Sequence, residues 1–265
     1  MWPGRSGIPS LVERLETVPN AIVFLAVPDD AVAGAANQLA AGGDRVPRRV
    51  AFVHLSGALG LAALNPLSGR HQVGSFHPLQ SFPEVRPPAA FHGIVIAVDA
   101  SAPALRRRLA ALARALGARP KHVDDGQRVL YHAAAVFASN FVDAVLHEAV
   151  GLLETAGWSQ AEAAKALIPL TEGALANVRK RGTVGAMTGP IRRGDVATIR
   201  RHLDALDSLD SRGSRRGPQV VGVYRMLGQI ALEIAEEAGL EPAAAERVKR
   251  ALTRNVAATR RRRRG

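Results

Sequence analysis

At 265 residues, with 47% hydrophobic and 22% charged side chains, the chain has the usage of an ordinary globular protein and enough length for one large or two modest domains. Disordered and collagen-like classes are excluded. Zero cysteines exclude disulfides, thiolate nucleophiles, iron–sulfur ligation and cysteine-based zinc sites. The formal charge of +12 rests on 31 arginines and four lysines, and five of the arginines form the terminal run Arg260–Arg264. Such a run is a solvated tail more often than a phosphate-binding arm, so nucleic-acid binding is the minor reading. The longest uninterrupted apolar run, Ala21–Val27, falls far short of the ~20 residues that cross a bilayer, and no signal-peptide-length apolar stretch follows Met1–Gly7. A cytoplasmic protein with no membrane partner is expected.

Apolar runs alternate with helical stretches over the first 120 residues. Ala21–Val27 reads as a buried strand, Pro28-Asp29-Asp30 as its end, and a helix follows from about Ala31 to Ala41. Val50–Ser56 is a second strand, running into Gly57 and a short helix over Ala58–Leu64. Gln72–Phe76 and Gly93–Val98 are the third and fourth strands, and Pro103–Leu116 is a helix rich in Ala, Leu and Arg. This alternation predicts an α/β domain with a largely parallel sheet, whose ligands bind beyond the carboxyl ends of the strands.

Beyond Pro120 the strand signal stops. Asp124-Asp125 can cap one long helix from about Gln127 to Ala156, closed by Gly157, and Ser159 caps another starting at Gln160. A turn at Thr188–Gly194 leads to Asp195 as the next cap, with a helix to about Leu206. Ser208–Pro218 is a polar, glycine-containing connection, and helices follow over Val220–Ala238 and from Glu241-Pro242 to about Ala258. No internal repeat has a fixed period.

Four segments could carry chemistry. Ser56-Gly57, at a strand's carboxyl end, offers a hydroxyl and free N–H groups for an anion or amide; a helix cap with a turn glycine is the alternative. In Gly74–Ser81, His77 is forced extended by Pro78, so its ring can enter a cleft as a proton carrier or serve as a structural histidine. His71 and His77 lack the carboxylates of a metal site, and none is expected. On the long helix, His132, Ser139, Asn140 and Asp143 share a face with Val136, a polar stripe that lines a polar cleft or meets solvent. Arg192 and Arg193 could clamp a carboxylate or phosphate, or belong to an ordinary charged loop.

Taken together, LAVPDDAV (Leu25–Val32), HLSGALG (His54–Gly60), GSFHPLQSF (Gly74–Phe82), YHAAAVFASN (Tyr131–Asn140) and TGPIRRGD (Thr188–Asp195) resemble one bacterial family. Its members are Rossmann-like proteins ending in the domain of unknown function 2520, related to pyrroline-5-carboxylate reductase, deazaflavin-dependent NADP reductase and 6-phosphogluconate-dehydrogenase-like proteins. The resemblance implies an α/β plus all-α fold. An incomplete Rossmann-like parallel sheet domain over 1–120 would precede a helical, 6-phosphogluconate-dehydrogenase-C-terminal-like domain over 121–258 that binds substrate and dimerises, with a basic tail at 259–265.

The G-x-G-x-x-G turn expected to open such a domain does not occur in this sequence. A start placed too far downstream is the preferred explanation, and loss of cofactor binding the other. As it stands, the polypeptide is expected to bind NADP or NAD poorly. The resulting expectation is an NAD(P)-dependent oxidoreductase moving hydride to or from a C=O or C=N carbon of a small anionic metabolite. His77 or His132 would be the acid/base, with Ser56, Gly57, Ser75, Ser139 and Asn140 holding substrate and Arg193 its acid group. Val27, Pro28 and Asp29 would edge the cofactor. His77, Ser56, His132 and Asn140 would converge on one cleft between the two domains, and the protein would be a homodimer. A non-catalytic dinucleotide or metabolite sensor on the same fold is the alternative.

Overall fold

The computed structural model describes residues 15, 18, 20–42, 45–211 and 217–253, so the arginine tail and most of the residues before Ala21 lie outside it. The chain divides into two compact units, 1–143 and 144–265.

The first unit is built on one five-stranded sheet in the order β1-β2-β3-β4-β5. The strands are β1 (Ile22–Leu25), β2 (Ala51–His54), β3 (Gln72–Pro78), β4 (Val95–Ala100) and β5 (Arg119–His122). All neighbours pair parallel except β3 and β4, which run antiparallel with His77 opposite Ala97. Helix α1 (Asp29–Ala40) follows β1, a 3-10 turn (Leu61–Leu64) and the short α2 (Asn65–Ser68) follow β2, and α3 (Pro103–Ala115) connects β4 to β5. Period-two alternation along β2 sorts the core into two layers. Phe52 points into a cluster with Val32, Leu39, Leu64 and Leu67. Its neighbours Ala51 and Val53 point into another with Phe76, Ile96, Leu105 and Leu109.

β5 was not anticipated. Arg119-Pro-Lys-His122 has no apolar alternation, being an edge strand with only Pro120 partly buried, and it is identified by its ladder: Arg119 N–H donates to Ile94 O at 2.8 Å. The long helix expected from Gln127 to Ala156 is also two helices, α4 (Asp125–Ala138) and α5 (Asn140–Thr155). Ser139 interrupts them at φ −129°, ψ −75°, its hydroxyl donating to Ala135 O at 3.0 Å in competition with the helical ladder.

The second unit is helical: α6 (Gln160–Gly185), α7 (Gly189–Arg192), α8 (Val196–Ser211), α9 (Gly217–Glu237) and α10 (Pro242–Thr253). Ser159 and Glu162 form the capping box of α6, and Asp195 Oδ1 accepts from Thr198 N–H at 3.0 Å as α8 begins. Its core joins Ile199 and Leu203 of α8 to Leu232 of α9 and to Val248, Ala251 and Leu252 of α10.

Gly74 of β3 is a point of close approach. A Cβ there would lie 2.9 Å from Asp99 O and 3.1 Å from a Leu109 methyl. Gly74→Ala is expected to lower the unfolding free energy by about 1–3 kcal/mol through overpacking between sheet and α3, measurable by urea denaturation with an unchanged m-value.

Candidate active site

Two strands of the first unit, β2 and β3, carry histidines at their carboxyl ends, and α4 lies against them. Its N-cap Asp124 forms a capping box with Gln127, which sets where the helix starts. Both oxygens of Asp125, one residue on, accept the Leu61 N–H at 3.1 and 3.2 Å. That contact requires Gly60, because a Cβ there would stand 2.6 Å from the carboxylate. Arg128, one turn further, is 1% exposed. Its Nη2 donates to Ser75 Oγ at 2.6 Å and to Val123 O at 3.0 Å, while Nη1 and Nε have no hydrogen bond. These contacts hold the next turn, with Tyr131 and His132, beside His77 of β3.

His77 Nδ1 and the Tyr131 hydroxyl are hydrogen-bonded at 2.8 Å. The His77 and His132 rings cross edge to face with centroids 6.1 Å apart. Gly57 covers both: a Cβ on it would be 2.7 Å from His77 Nε2 and 2.7 Å from His132 Nδ1. Beyond the rings opens a cavity of about 450 Å³, whose polar lining includes His77, Tyr131, His132, Ser139, Asn140 and Asp143, together with Gln80 and Ser81 of the loop after β3.

Burial, followed by the charges of His132 and Arg128, lowers the His77 pKa to about 4, so the ring is neutral at pH 7. Burial raises Tyr131 to about 12, against the pull of Arg128, so its phenol keeps its proton. Beneath them His54, at the end of β2, is fully buried. Burial and then Arg128 lower it to about 4, and although the Gly60 backbone slightly favours its charged form, neither ring nitrogen has a hydrogen bond of normal geometry.

The sequence-predicted residues separate accordingly. His77, His132, Ser139 and Asn140 line the cavity, and Gly57 abuts both histidines. All belong to the first unit, rather than to two domains as expected. Ser56 is a structural cap: its buried hydroxyl donates to Asp29 Oδ2 at 2.8 Å and accepts from the N–H groups of Ala58 and Leu59. Ser75 is buried under Arg128 and is not available to a substrate. Asp29 is occupied by Ser56, with Pro28 exposed and Val27 half-buried beside it. Arg193 is an exposed residue of the second unit, and no lysine or arginine lines this cavity, so the expected acid clamp and anionic substrate find no counterpart in it. Sequence reasoning missed Tyr131, although it heads the YHAAAVFASN string, and Arg128, which stands one helical turn before it. Among the described residues no group of His, Asp and Glu could hold a metal ion.

Because His54 and His77 take up protons near pH 4 when folded and near 6.5 when unfolded, the unfolded chain binds more protons between those values. Stability is expected to be complete above pH 6.5 and to fall as the pH drops toward 4, His54 alone accounting for about 3 kcal/mol. Thermal melts from pH 4 to 8 test this. His54→Leu should flatten the acid-side loss, and an equally steep profile in that variant would refute the assignment.

The comparisons with known proteins agree with this architecture. No curated protein matches the chain. Among solved structures, a candidate NADP oxidoreductase of Bacteroides fragilis is 25% identical, with a TM-score of 0.64 over 84% of this chain and 78% of that one. A Thermotoga maritima protein is 23% identical, with a TM-score of 0.67 over 86% of each chain. An NADH-preferring ketol-acid reductoisomerase from an uncultured archaeon, 14% identical, gives 0.51 over 91% of this chain and 67% of its own. The fold is thus Rossmann-like and reductase-like, a mostly parallel sheet unit followed by a helical one. Residues 94–231 match the profile of the family described as Domain of unknown function (DUF2520), and the chain belongs to that family.

Proposed function

We propose that the protein is an NAD(P)-type oxidoreductase acting at a C=O or C=N carbon of a small metabolite, with His77, Tyr131 and His132 managing the proton. The observation that carries this reading is the 2.8 Å His77–Tyr131 hydrogen bond in the wall of a cavity at the end of β3. A nicotinamide would supply or accept the hydride. The residues present fit its pyrophosphate poorly: there is no G-x-G-x-x-G turn, and the first turn of α1 carries Asp29 and Asp30, which repel phosphate where a helix start would otherwise attract it. This chain's own contribution is therefore proton chemistry. With its proton retained at neutral pH, Tyr131 serves as the acid toward the reacting heteroatom. The neutral His77 ring holds the phenol in place, and the buried Arg128 charge favours the phenolate left behind.

The two acids of α1 favour a second reading, a metabolite-binding protein that retains the fold without turnover. Calorimetry with NADPH and NADH, followed by nicotinamide absorbance with carbonyl and imine compounds, separates the two. Tyr131→Phe and His77→Gln should each lower kcat about 100-fold or more with little change in KM. Binding of a small molecule without turnover of either nicotinamide would favour the second reading.

Several large apolar side chains are exposed: Val129, Leu130 and Phe137 on α4, Phe141 on α5, and Met226, Leu227 and Ile230 on α9. α10, by contrast, buries its apolar residues in its own unit's core. The stretch Asp125–Thr155 is long and apolar enough to cross a membrane by length and composition, yet it breaks at Ser139 and carries His132, Asp143, His147 and Glu148. We propose a second copy of the chain as what covers these faces. Light scattering at micromolar concentration should give a dimer that Leu130→Glu or Met226→Glu weakens. A monomer that floats with liposomes would assign the face to lipid instead.

A further inference from the structure

The chain carries 35 lysines and arginines, yet none lines the His77–Tyr131 cavity. Its one carboxylate is Asp143, which makes no side-chain hydrogen bond or ion pair with any described residue, while its backbone N–H donates to Ser139 O at 3.1 Å. An acid in the first turn of α5 also favours that helix by complementing its dipole. Asp143 is solvent-exposed and lines the cavity together with Ser139 and Asn140, and Leu79, Ala135 and Val136 contribute apolar surface to the same lining. An exposed carboxylate at the cavity, with no lysine or arginine in the lining, disfavours an anionic ligand and favours a positive one.

We propose that the cavity takes a ligand bearing a protonated nitrogen, an amine or iminium group paired with Asp143, with its hydrocarbon part against Leu79, Ala135 and Val136. The proposal rests on the preceding reading only in treating this cavity as the substrate site. Given that reading, it selects the C=N half of the substrate range, because an iminium carries positive charge next to the carbon being reduced and a ketone does not.

The test uses the full chain and three probes of one shape: cyclohexylamine, cyclohexanol and cyclohexanecarboxylate, titrated calorimetrically at pH 7.5. The amine should bind about tenfold or more tightly than the other two. Asp143→Asn should bring it to the level of the alcohol, Asp143→Glu should keep the preference, and both variants should melt near the parent temperature. Equal or tighter binding of the carboxylate, no amine binding at millimolar concentration, or a preference that survives Asp143→Asn would overturn the proposal. Amine selectivity without turnover of any imine would uphold it and remove the reductase reading. Turnover of keto acids by a protein indifferent to the amine would do the reverse.

Discussion

The guanidinium of Arg128 is the fastening on which the site depends. It is a full charge withdrawn from water, and its hydrogen bonds go to a β3 side chain, Ser75, and to the backbone just before its own helix, Val123. Burying such a group is costly unless its donors are used, so those acceptors fix α4 in one rotational setting. Asp125 adds a second tie, to the turn after β2. Tyr131 and His132, three and four residues beyond Arg128, then have only one place to go. Surface salt bridges exchange readily with water and could not impose such a setting.

The same charge shapes the protonation of its neighbours. Two histidines and a phenol surround an arginine in an environment with little water, and each is held in its uncharged form near pH 7. Burial is the main cause in all three; the Arg128 charge adds to it at the two histidines and opposes it at the phenol. The unfilled donors on Nη1 and Nε and the unpartnered ring of His54 are what that arrangement leaves over.

Much of the fold was legible because its signals are local. β1 to β4 are short apolar runs stopped by Pro, Gly or Ser, and the caps at Asp124, Ser159 and Asp195 stand where their side chains predict. The polar face of His132, Ser139 and Asn140 followed from helical spacing and does line the cavity. What escaped depends on tertiary contacts. β5 is charged and owes its conformation to β4, and the break at Ser139 comes from one hydroxyl bonding backward. Arg128 looks like a surface arginine until Ser75 is placed beneath it. Ser56 shows the converse: its sequence position suited either a ligand contact or a cap, and only the bond to Asp29 decides for the cap.

The edge strand β5 has one further consequence, for how the protein can associate. Pro120 has no N–H to offer an incoming strand, and Arg119 and Lys121 on either side would bring like charges together if two such edges met. The sheet is therefore closed to extension at this end. Assembly by shared β-structure, the route to open-ended fibres, is discouraged at this edge.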